Sequence, residues 1–216
     1  SWSAACRVEH RITTDATAFL DPDPIVQFER WWKDARTMWG PPVPDAMTLA
    51  TATSDGRPSA RTVLLKGFDR LGFVFYTNYG SRKARQLDAN PVASLVLLWR
   101  SWWGLRVRQV IVEGRVERVT EEESRRYFAT RPRGSRIGAW ASPQSQEITD
   151  RAALAALVTE AEQRYPGDDV PCPPFWGGYR VVPNRIEMWI GRASRLHDRF
   201  CYTKDDGGWR LGRLAP

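Results

Sequence analysis

Alternation of apolar and polar positions with a period of two dominates this chain and predicts a structure built mainly from strands. Strands are predicted at residues 47–53, 57–66, 73–76, 92–99, 106–117, 178–182, 186–190, 195–202 and 209–214. Asp55-Gly56 is a typical tight hairpin turn, and the early strands follow one another without crossover helices. The sheet is therefore expected to be antiparallel.

Residues that favour helix starts predict a few helices among these strands. The helices are expected from Pro24 to a stop at Gly40, from a Ser81 cap to about Asn90, from a Thr120 cap to Thr130, and over residues 150–165. Residues 132–145 are expected to form a loop and an irregular segment. The pattern as a whole predicts a mainly β fold, a barrel with α decoration.

Composition restricts the class of protein. The 216 residues are 42% hydrophobic and 26% charged, as in a folded domain that buries a full core. A net charge of +7 favours anionic ligands. The basic residues are spread along the chain without a long block, so nucleic acid is the weaker choice of partner.

The cysteines and residues 1–20 indicate the cellular compartment in which the protein is expected. Three Cys and two His have neither disulfide nor metal-ligand spacing, so no metal is expected. No apolar run is long enough to span a membrane, and residues 1–20 lack a signal-peptide core. We therefore expect a cytoplasmic protein with no membrane partner.

Two clusters are candidate phosphate sites. Ser81, Arg82 and Lys83 at a helix start offer a hydroxyl, free backbone N–H groups and two cations, although many ordinary surface helices look the same. Tyr127 and Arg131 lie four residues apart on one helix face, with Ser135 close behind. Such a set grips one phosphate by several hydrogen bonds; the alternative is a tyrosine stacked on a surface arginine.

A third candidate lies at residues 195–199. In a strand, Arg195, His197 and Arg199 share one face and repel one another unless an anionic or electron-rich group lies against them. The alternative is a solvated, charged edge strand.

A series of short motifs follows in order along the chain: Arg61-Thr62-Val63-Leu64-Leu65-Lys66, Phe75-Tyr76-Thr77-Asn78, Gly80-Ser81-Arg82-Lys83, Arg108-Gln109-Val110, Arg131-Pro132-Arg133-Gly134-Ser135, Phe175-Trp176-Gly177-Gly178-Tyr179-Arg180, Arg195-Leu196-His197-Asp198-Arg199 and Arg213-Leu214-Ala215-Pro216. Together they resemble the pyridoxine/pyridoxamine 5′-phosphate oxidase family. The resemblance covers about residues 21–216, nearly the whole chain.

This resemblance implies an FMN-binding split β-barrel that works as a homodimer, with FMN at the subunit interface. It implies a flexible N-terminal arm over residues 1–20 and one domain over residues 21–216, which includes a C-terminal dimerisation and substrate region. The implied reaction oxidises pyridoxamine or pyridoxine 5′-phosphate to pyridoxal 5′-phosphate with O2 and releases H2O2.

The resemblance also implies roles for individual residues. Those implied to bind FMN are Arg61, Tyr76, Thr77, Ser81, Arg82, Lys83, Gln109, Gln144, Ser145, Trp189 and Arg199. Those implied to hold the substrate phosphate are Lys66, Tyr127, Arg131 and Ser135, while Arg195 and His197 lie over the substrate ring for positioning and proton handling. Arg61 and Lys66 are an odd number apart, so they serve different ligands or the strand bends near Lys66.

Two departures from the family pattern keep alternatives open. The hairpin over residues 99–108 is longer than the family pattern and carries Trp102 and Trp103, and the arm lacks the family's basic, tyrosine-containing segment. Either change is compatible with an FMN-dependent oxidase of a secondary-metabolite ring, as in phenazine biosynthesis. A non-enzymatic flavin or heme carrier on the same barrel is a further alternative, against which Arg195 and His197 argue.

Overall fold

The structure is a computed structural model that describes residues 20–37, 43–100 and 107–216. The predictions for the N-terminal arm before residue 20, the stop at Gly40 and the hairpin tip at Trp102 and Trp103 lie outside the described residues. Within these ranges, no helix has the length and hydropathy needed to span a membrane.

In the part of the chain that the structure describes, nine strands form one sheet, with five α-helices around it. The strands are β1 Ala46–Ala52, β2 Pro58–Leu64, β3 Gly67–Asp69, β4 Gly72–Asn78, β5 Val92–Arg100, β6 Val107–Arg118, β7 Trp176–Ile190, β8 Asp198–Asp205 and β9 Gly208–Leu214. The helices are α1 Pro24–Thr37, α2 Arg82–Ala89, α3 Glu121–Ala129, α4 Arg133–Ala141 and α5 Arg151–Arg164. The mainly β architecture with helical decoration is confirmed.

Side-chain caps begin the helices where the sequence predicts them. Asp23 Oδ1 accepts a hydrogen bond from the backbone N–H of Ile25 at 2.9 Å, and Thr120 Oγ1 accepts one from the N–H of Glu123 at 3.1 Å. The Ser81 hydroxyl accepts from the backbone N–H of Ala84, so the predicted start of α2 is confirmed.

Strand β7 is central to the sheet, because it pairs with β4, β6 and β8. The strand order is β2-β1-β5-β6-β7-β4-β3, and β8 pairs with β7 and β9. All pairings are antiparallel. The first part of β7 pairs with β4, its last part pairs with β8, and β6 runs along most of its length. The two ends of β7 therefore carry different neighbours.

The prediction of separate strands at residues 178–182 and 186–190 was wrong, because β7 runs unbroken through both. The residues between them contain Pro183, which has no N–H for a ladder hydrogen bond. The pairing with β6 shifts register between Glu113 and Gly114, opposite this proline, and the strand continues past it.

The prediction of a strand over residues 195–202 was also wrong at its start. Ala193–Arg195 form a short 3-10 turn, and β8 begins only at Asp198. Ser194 and Arg195 have left-handed backbones with φ of 56° and 61°, which turn the chain before the strand. Arg195, His197 and Arg199 therefore do not alternate along one strand face.

Residues 133–141 form helix α4, where a loop and an irregular segment were predicted. Gly134 and Gly138 weakened the helical signal in the sequence. Helix α5 was predicted to pack into the core, but only its Ala161 is buried. That residue joins Ile137 and Ala141 of α4 in a small second cluster, apart from the main core.

The main core fills the sheet and is closed at one end by α1. Phe28 of α1 is fully buried and lies edge-to-face against Phe73 and Phe68, with ring centroids 4.8 Å apart in each pair. Trp31 is also buried, as expected for a packing helix. The rigid core holds the strands that carry the candidate site.

Substitution of Gly114 tests whether the register shift between β6 and β7 requires a residue without a side chain. A Cβ there would lie 2.0 Å from the backbone oxygen of Val182. We expect Gly114→Ala to lower the free energy of unfolding by about 2–3 kcal/mol in urea denaturation, because two backbones must separate. Gly134→Ala is the control: nothing lies within 4 Å of its Cβ position, and we expect a change within about 1 kcal/mol. Equal effects of the two substitutions would contradict this view of the bulge.

Candidate functional site

The predicted site residues fall into two groups at opposite ends of β7. The first group lines a cleft of about 520 Å³ between β2, β4 and helices α2, α3 and α4. The cleft contains the predicted residues Arg61, Lys66, Tyr76, Thr77, Lys83, Tyr127, Arg131, Ser135 and Gln144. These residues come from five separate stretches of the chain.

Arg61 is fixed at one end of the cleft by neutral acceptors. Its Nη1 donates to the backbone oxygen of Leu49 at 3.2 Å and to Thr51 Oγ1 at 2.6 Å. Its Nη2 donates to Ser59 Oγ at 2.7 Å and to Gln86 Oε1 at 3.2 Å. Burial, followed by repulsion from Arg82, lowers the pKa of the Arg61 guanidinium below its ordinary value.

Lys83 lies in the same part of the cleft. Its Nζ donates to Gln144 Oε1 at 3.0 Å and to Thr77 Oγ1 at 3.2 Å, both neutral oxygens. Burial, followed by repulsion from Arg61, lowers the pKa of Lys83. In the described ranges, no carboxylate forms an ion pair with Arg61, Arg82 or Lys83. We call these three residues the cation cluster.

Two other predicted residues lie beside the cation cluster. Ser81 is fully buried as the cap of α2, with its hydroxyl 3.5 Å from that of Thr77. Ser145 is exposed and has a left-handed backbone with φ of 70°, directly after Gln144. The Ser81 side chain thus caps the N-terminus of α2. Ser145 is exposed to solvent in this chain.

A stack of aromatic rings forms the other end of the cleft. Tyr76 stacks on Tyr127 with ring centroids 4.0 Å apart and on Trp176 at 5.4 Å. Burial raises the pKa of Tyr76 to about 12, so its phenol stays protonated at neutral pH. A Cβ at Gly178 would lie 2.8 Å from the Tyr76 ring, so only glycine allows this stack to lie against β7.

Arg131 lies over this stack, with its guanidinium carbon 4.7 Å from the Trp176 ring centroid. Burial lowers the pKa of Arg131. Its Nη1 is buried and has no hydrogen-bond acceptor among the described residues. A buried donor of this kind is costly unless a ligand supplies an acceptor.

Lys66 lines the same cleft as Arg61 because the chain bends between them. Strand β2 ends at Leu64, and the backbone N–H of Lys66 donates to Val74 of β4 at 2.9 Å. The Lys66 Nζ lies 3.9 Å from Asp45 Oδ2. The chain therefore bends near Lys66, and the Arg61 and Lys66 side chains line one cleft.

The second group lies at the far end of β7. Gln109 of β6 pairs with Trp189 of β7, which pairs with Arg199 of β8, so the three side chains share one face of the sheet. The His197 ring lies 4.5 Å from the Trp189 ring. Its Nδ1 accepts a hydrogen bond from the backbone N–H of Arg192 at 3.1 Å, which leaves the proton of the neutral ring on Nε2. Arg195 is exposed beside this face.

Glu187 holds Arg199 on this face. The nearly buried carboxylate accepts from Arg199 Nε at 2.8 Å and Arg199 Nη2 at 3.1 Å, and from Arg185 at 2.7 Å. Burial alone raises the pKa of Glu187, but the hydrogen bonds from Arg199 and Arg185 outweigh it and lower the pKa. Sequence reasoning missed Glu187, although it stands two residues before Trp189 and therefore on the same strand face.

The two groups lie on separate stretches of β7. Gly178 of β7 pairs with Tyr76 at the cleft, and Trp189 lies 189 − 178 = 11 residues further along the strand. At the rise of a strand, this is roughly 36 Å measured along the chain.

Two family models match this chain, one after the other along the sequence. The family model described as pyridoxamine 5′-phosphate oxidase matches residues 42–165. The model described as the pyridoxine 5′-phosphate oxidase C-terminal dimerisation region matches residues 176–216. The first model covers the cleft group, and the second covers the far end of β7.

Curated relatives span nearly the whole chain. A pyridoxine/pyridoxamine 5′-phosphate oxidase of Rubrobacter xylanophilus is 59% identical over 196 residues, which cover 91% of this chain and 88% of the relative. One from Burkholderia thailandensis is 55% identical over 209 residues, which cover 95% and 94%.

Solved structures share the fold. PhzG from Burkholderia lata, in complex with tetrahydrophenazine-1-carboxylic acid, superposes with a TM-score of 0.83 at 32% identity and covers 95% of this chain and 98% of that one. A pyridoxamine 5′-phosphate oxidase-related, FMN binding protein from Nostoc punctiforme gives a TM-score of 0.67 at 18% identity over 88% and 95%. The predicted split-barrel fold class is confirmed, and by its family models and relatives the chain belongs to the pyridoxamine 5′-phosphate oxidase family.

Proposed function

We propose that this protein is an FMN-dependent oxidase that converts pyridoxamine or pyridoxine 5′-phosphate to pyridoxal 5′-phosphate with O2 and releases H2O2. Relatives more than half identical to this chain carry the name of that activity. The observation that carries the proposal is that one cleft contains two separate cationic positions whose side chains have no anionic partner among the described residues. One is the cation cluster without a carboxylate, and the other is Arg131 with its unpaired buried N–H.

The cation cluster is suited to the FMN phosphate. Arg61 and Lys83 are held by neutral oxygens, so their charges are left for an anionic ligand. Arg82 adds a third charge at the start of α2. These residues would hold FMN, which would supply the two-electron redox chemistry between the substrate carbon and O2. The protein residues bind and orient both molecules and keep water from the reacting atoms.

Arg131 is suited to the substrate phosphate. Arg131, whose buried Nη1 has no acceptor among the described residues, lines the same cleft as Lys66, Tyr127 and Ser135. The Trp176 ring stacks beneath the planar guanidinium and holds it in place. Phosphate binding satisfies the buried N–H and fixes the distance from the phosphate to the reacting carbon.

The second group of site residues completes the site from another copy of the chain. The family's dimerisation region covers residues 176–216, which include Trp189, His197 and Arg199. In a symmetric dimer, this face of one copy lies against the cleft of the other, and the same contact forms twice. His197 would then present Nε2–H to the substrate ring. Arg195 would supply a positive charge that stabilises the negative charge placed on a bound flavin when it is reduced.

The ring-oxidase alternative has one structural relative in its favour, since PhzG was solved with a phenazine derivative. PhzG is 32% identical to this chain, whereas the B6 phosphate oxidases reach 59%. Arg131 and its unpaired N–H argue for a phosphorylated substrate. The B6 phosphate is therefore the substrate that we propose.

Turnover tests this proposal. The purified holoprotein should oxidise pyridoxamine 5′-phosphate in air, with pyridoxal phosphate absorbance and peroxide rising together.

We expect Arg131→Lys to raise KM about 30-fold with a much smaller change in kcat, because lysine cannot reproduce the stacked, planar donor. Arg126→Lys, at an exposed position of the neighbouring helix α3, is the control and should behave like the wild type. Flavin-loaded protein without turnover of either B6 phosphate would overturn the proposal.

Lys83 makes FMN binding depend on pH. A bound phosphate opposes the burial and the Arg61 repulsion that lower the pKa of Lys83, so binding and protonation favour each other. FMN affinity should be constant while Lys83 is protonated and fall as the pH rises through its pKa, which lies below the ordinary 10.5. Fluorescence titration of the apoprotein from about pH 7 to about pH 10 measures this.

The matched variants isolate the contribution of Lys83. Lys83→Arg keeps its charge over this range and should abolish most of the fall in FMN affinity. Lys33→Arg, at an exposed ion pair with Glu29 on α1, should leave the fall unchanged. The same fall in Lys83→Arg as in the wild type would contradict the assignment.

A further inference from the structure

Gln86 is a buried amide of α2 that lies behind the cation cluster. Its side chain is 5% exposed and carries no charge. Its Oε1 accepts three hydrogen bonds: from Thr51 Oγ1 at 2.6 Å, from Ser59 Oγ at 2.7 Å and from Arg61 Nη2 at 3.2 Å. Nothing in the motif pattern of the sequence gives this residue a role.

The hydrogen bonds around Gln86 have one consistent direction. A guanidinium can only donate, so the amide oxygen, and not its NH2, must face Arg61. Thr51 and Ser59 each accept from Arg61 and donate to Gln86. Two chains of hydrogen bonds, one through Thr51 and one through Ser59, therefore lead from Arg61 to the side-chain carbonyl oxygen of Gln86.

This network occupies the Arg61 guanidinium without neutralising it. The four Nη hydrogens are used by Leu49 O, Thr51, Ser59 and Gln86, all of which are uncharged acceptors. A glutamate at position 86 would have nearly the same shape and accept the same bonds. It would also pair its charge with Arg61, as Glu187 does with Arg199 at the other end of β7.

We propose that Gln86 is a positioning and specificity residue, which fixes Arg61 and, by being neutral, reserves its charge for the FMN phosphate. This inference rests on the proposed binding of FMN at the cation cluster. The protein discriminates FMN from riboflavin, which lacks the phosphate, and Gln86 sets the size of that discrimination. The Arg61 charge acts through the electrostatic potential at the phosphate, and Gln86 prevents its cancellation.

The ratio of FMN to riboflavin affinity tests this role. Apoprotein is titrated with each flavin by fluorescence quenching, for the wild type, Gln86→Glu and Gln86→Met. We expect Gln86→Glu to weaken FMN binding about 30-fold while riboflavin binding changes less than about twofold, because only FMN loses attraction to Arg61. Gln86→Met keeps size and neutrality and should retain most of the FMN preference.

Gln27→Glu is the matched control for burying a carboxylate. Gln27 is 4% exposed on α1, where its Oε1 accepts from the backbone N–H of Asp21, away from the cation cluster. It should leave the flavin preference unchanged. Loss of FMN and riboflavin alike in Gln86→Glu, or an equal loss of preference in Gln86→Met, would overturn the role of Gln86. A wild-type protein without any FMN preference would instead overturn the proposed FMN site.

Discussion

Repulsion among the positive charges of Arg61, Arg82 and Lys83 is the constraint on which the candidate site depends. The fold places these cations together and gives Arg61 and Lys83 only neutral hydrogen-bond acceptors. Burial and mutual repulsion lower the pKa values of Arg61 and Lys83, so the cluster is costly until an anion binds. In the function that we propose, a bound phosphate relieves this repulsion. Arg199, in contrast, forms an ion pair with the carboxylate of Glu187. The fold therefore gives Arg199 an anionic partner and gives Arg61 only neutral ones.

The length of β7 governs how the site is divided. One strand carries Gly178 against the aromatic stack of the cleft and Trp189 beside His197 and Arg199. Because the strand is continuous, the two groups stay separated in one chain, and the register shift at Gly114 is what permits that continuity. A second copy in a symmetric dimer is the simplest way to bring the groups together. The dimerisation region of the family covers residues 176–216, which include Trp189, His197 and Arg199.

Local signals predicted much of the fold. Alternating apolar positions gave β1, β4, β5 and β6 nearly to their ends, and caps such as Ser81 and Thr120 located helix starts. The errors arose where tertiary contacts override local pattern. Pro183 resembled a strand break, yet a bulge in the partner strand accommodates it. Gln86 and Trp176 were missed because their importance lies in contacts between distant segments, which neither spacing nor residue type reveals. For Glu187, spacing indicates the strand face that it shares with Trp189, but not its ion pair with Arg199.

Complementation between two inactive variants tests the divided site most directly. Arg131→Ala removes a cleft residue, and His197→Ala removes a residue of the other group. In a heterodimer of the two, one site carries both substitutions and the other carries none. Co-expression with different affinity tags should therefore restore about one quarter of wild-type kcat/KM per dimer for a random mixture, although each homodimer is nearly inactive. Purified heterodimers that remain as inactive as the homodimers would place both residues in a site within one chain and contradict the account.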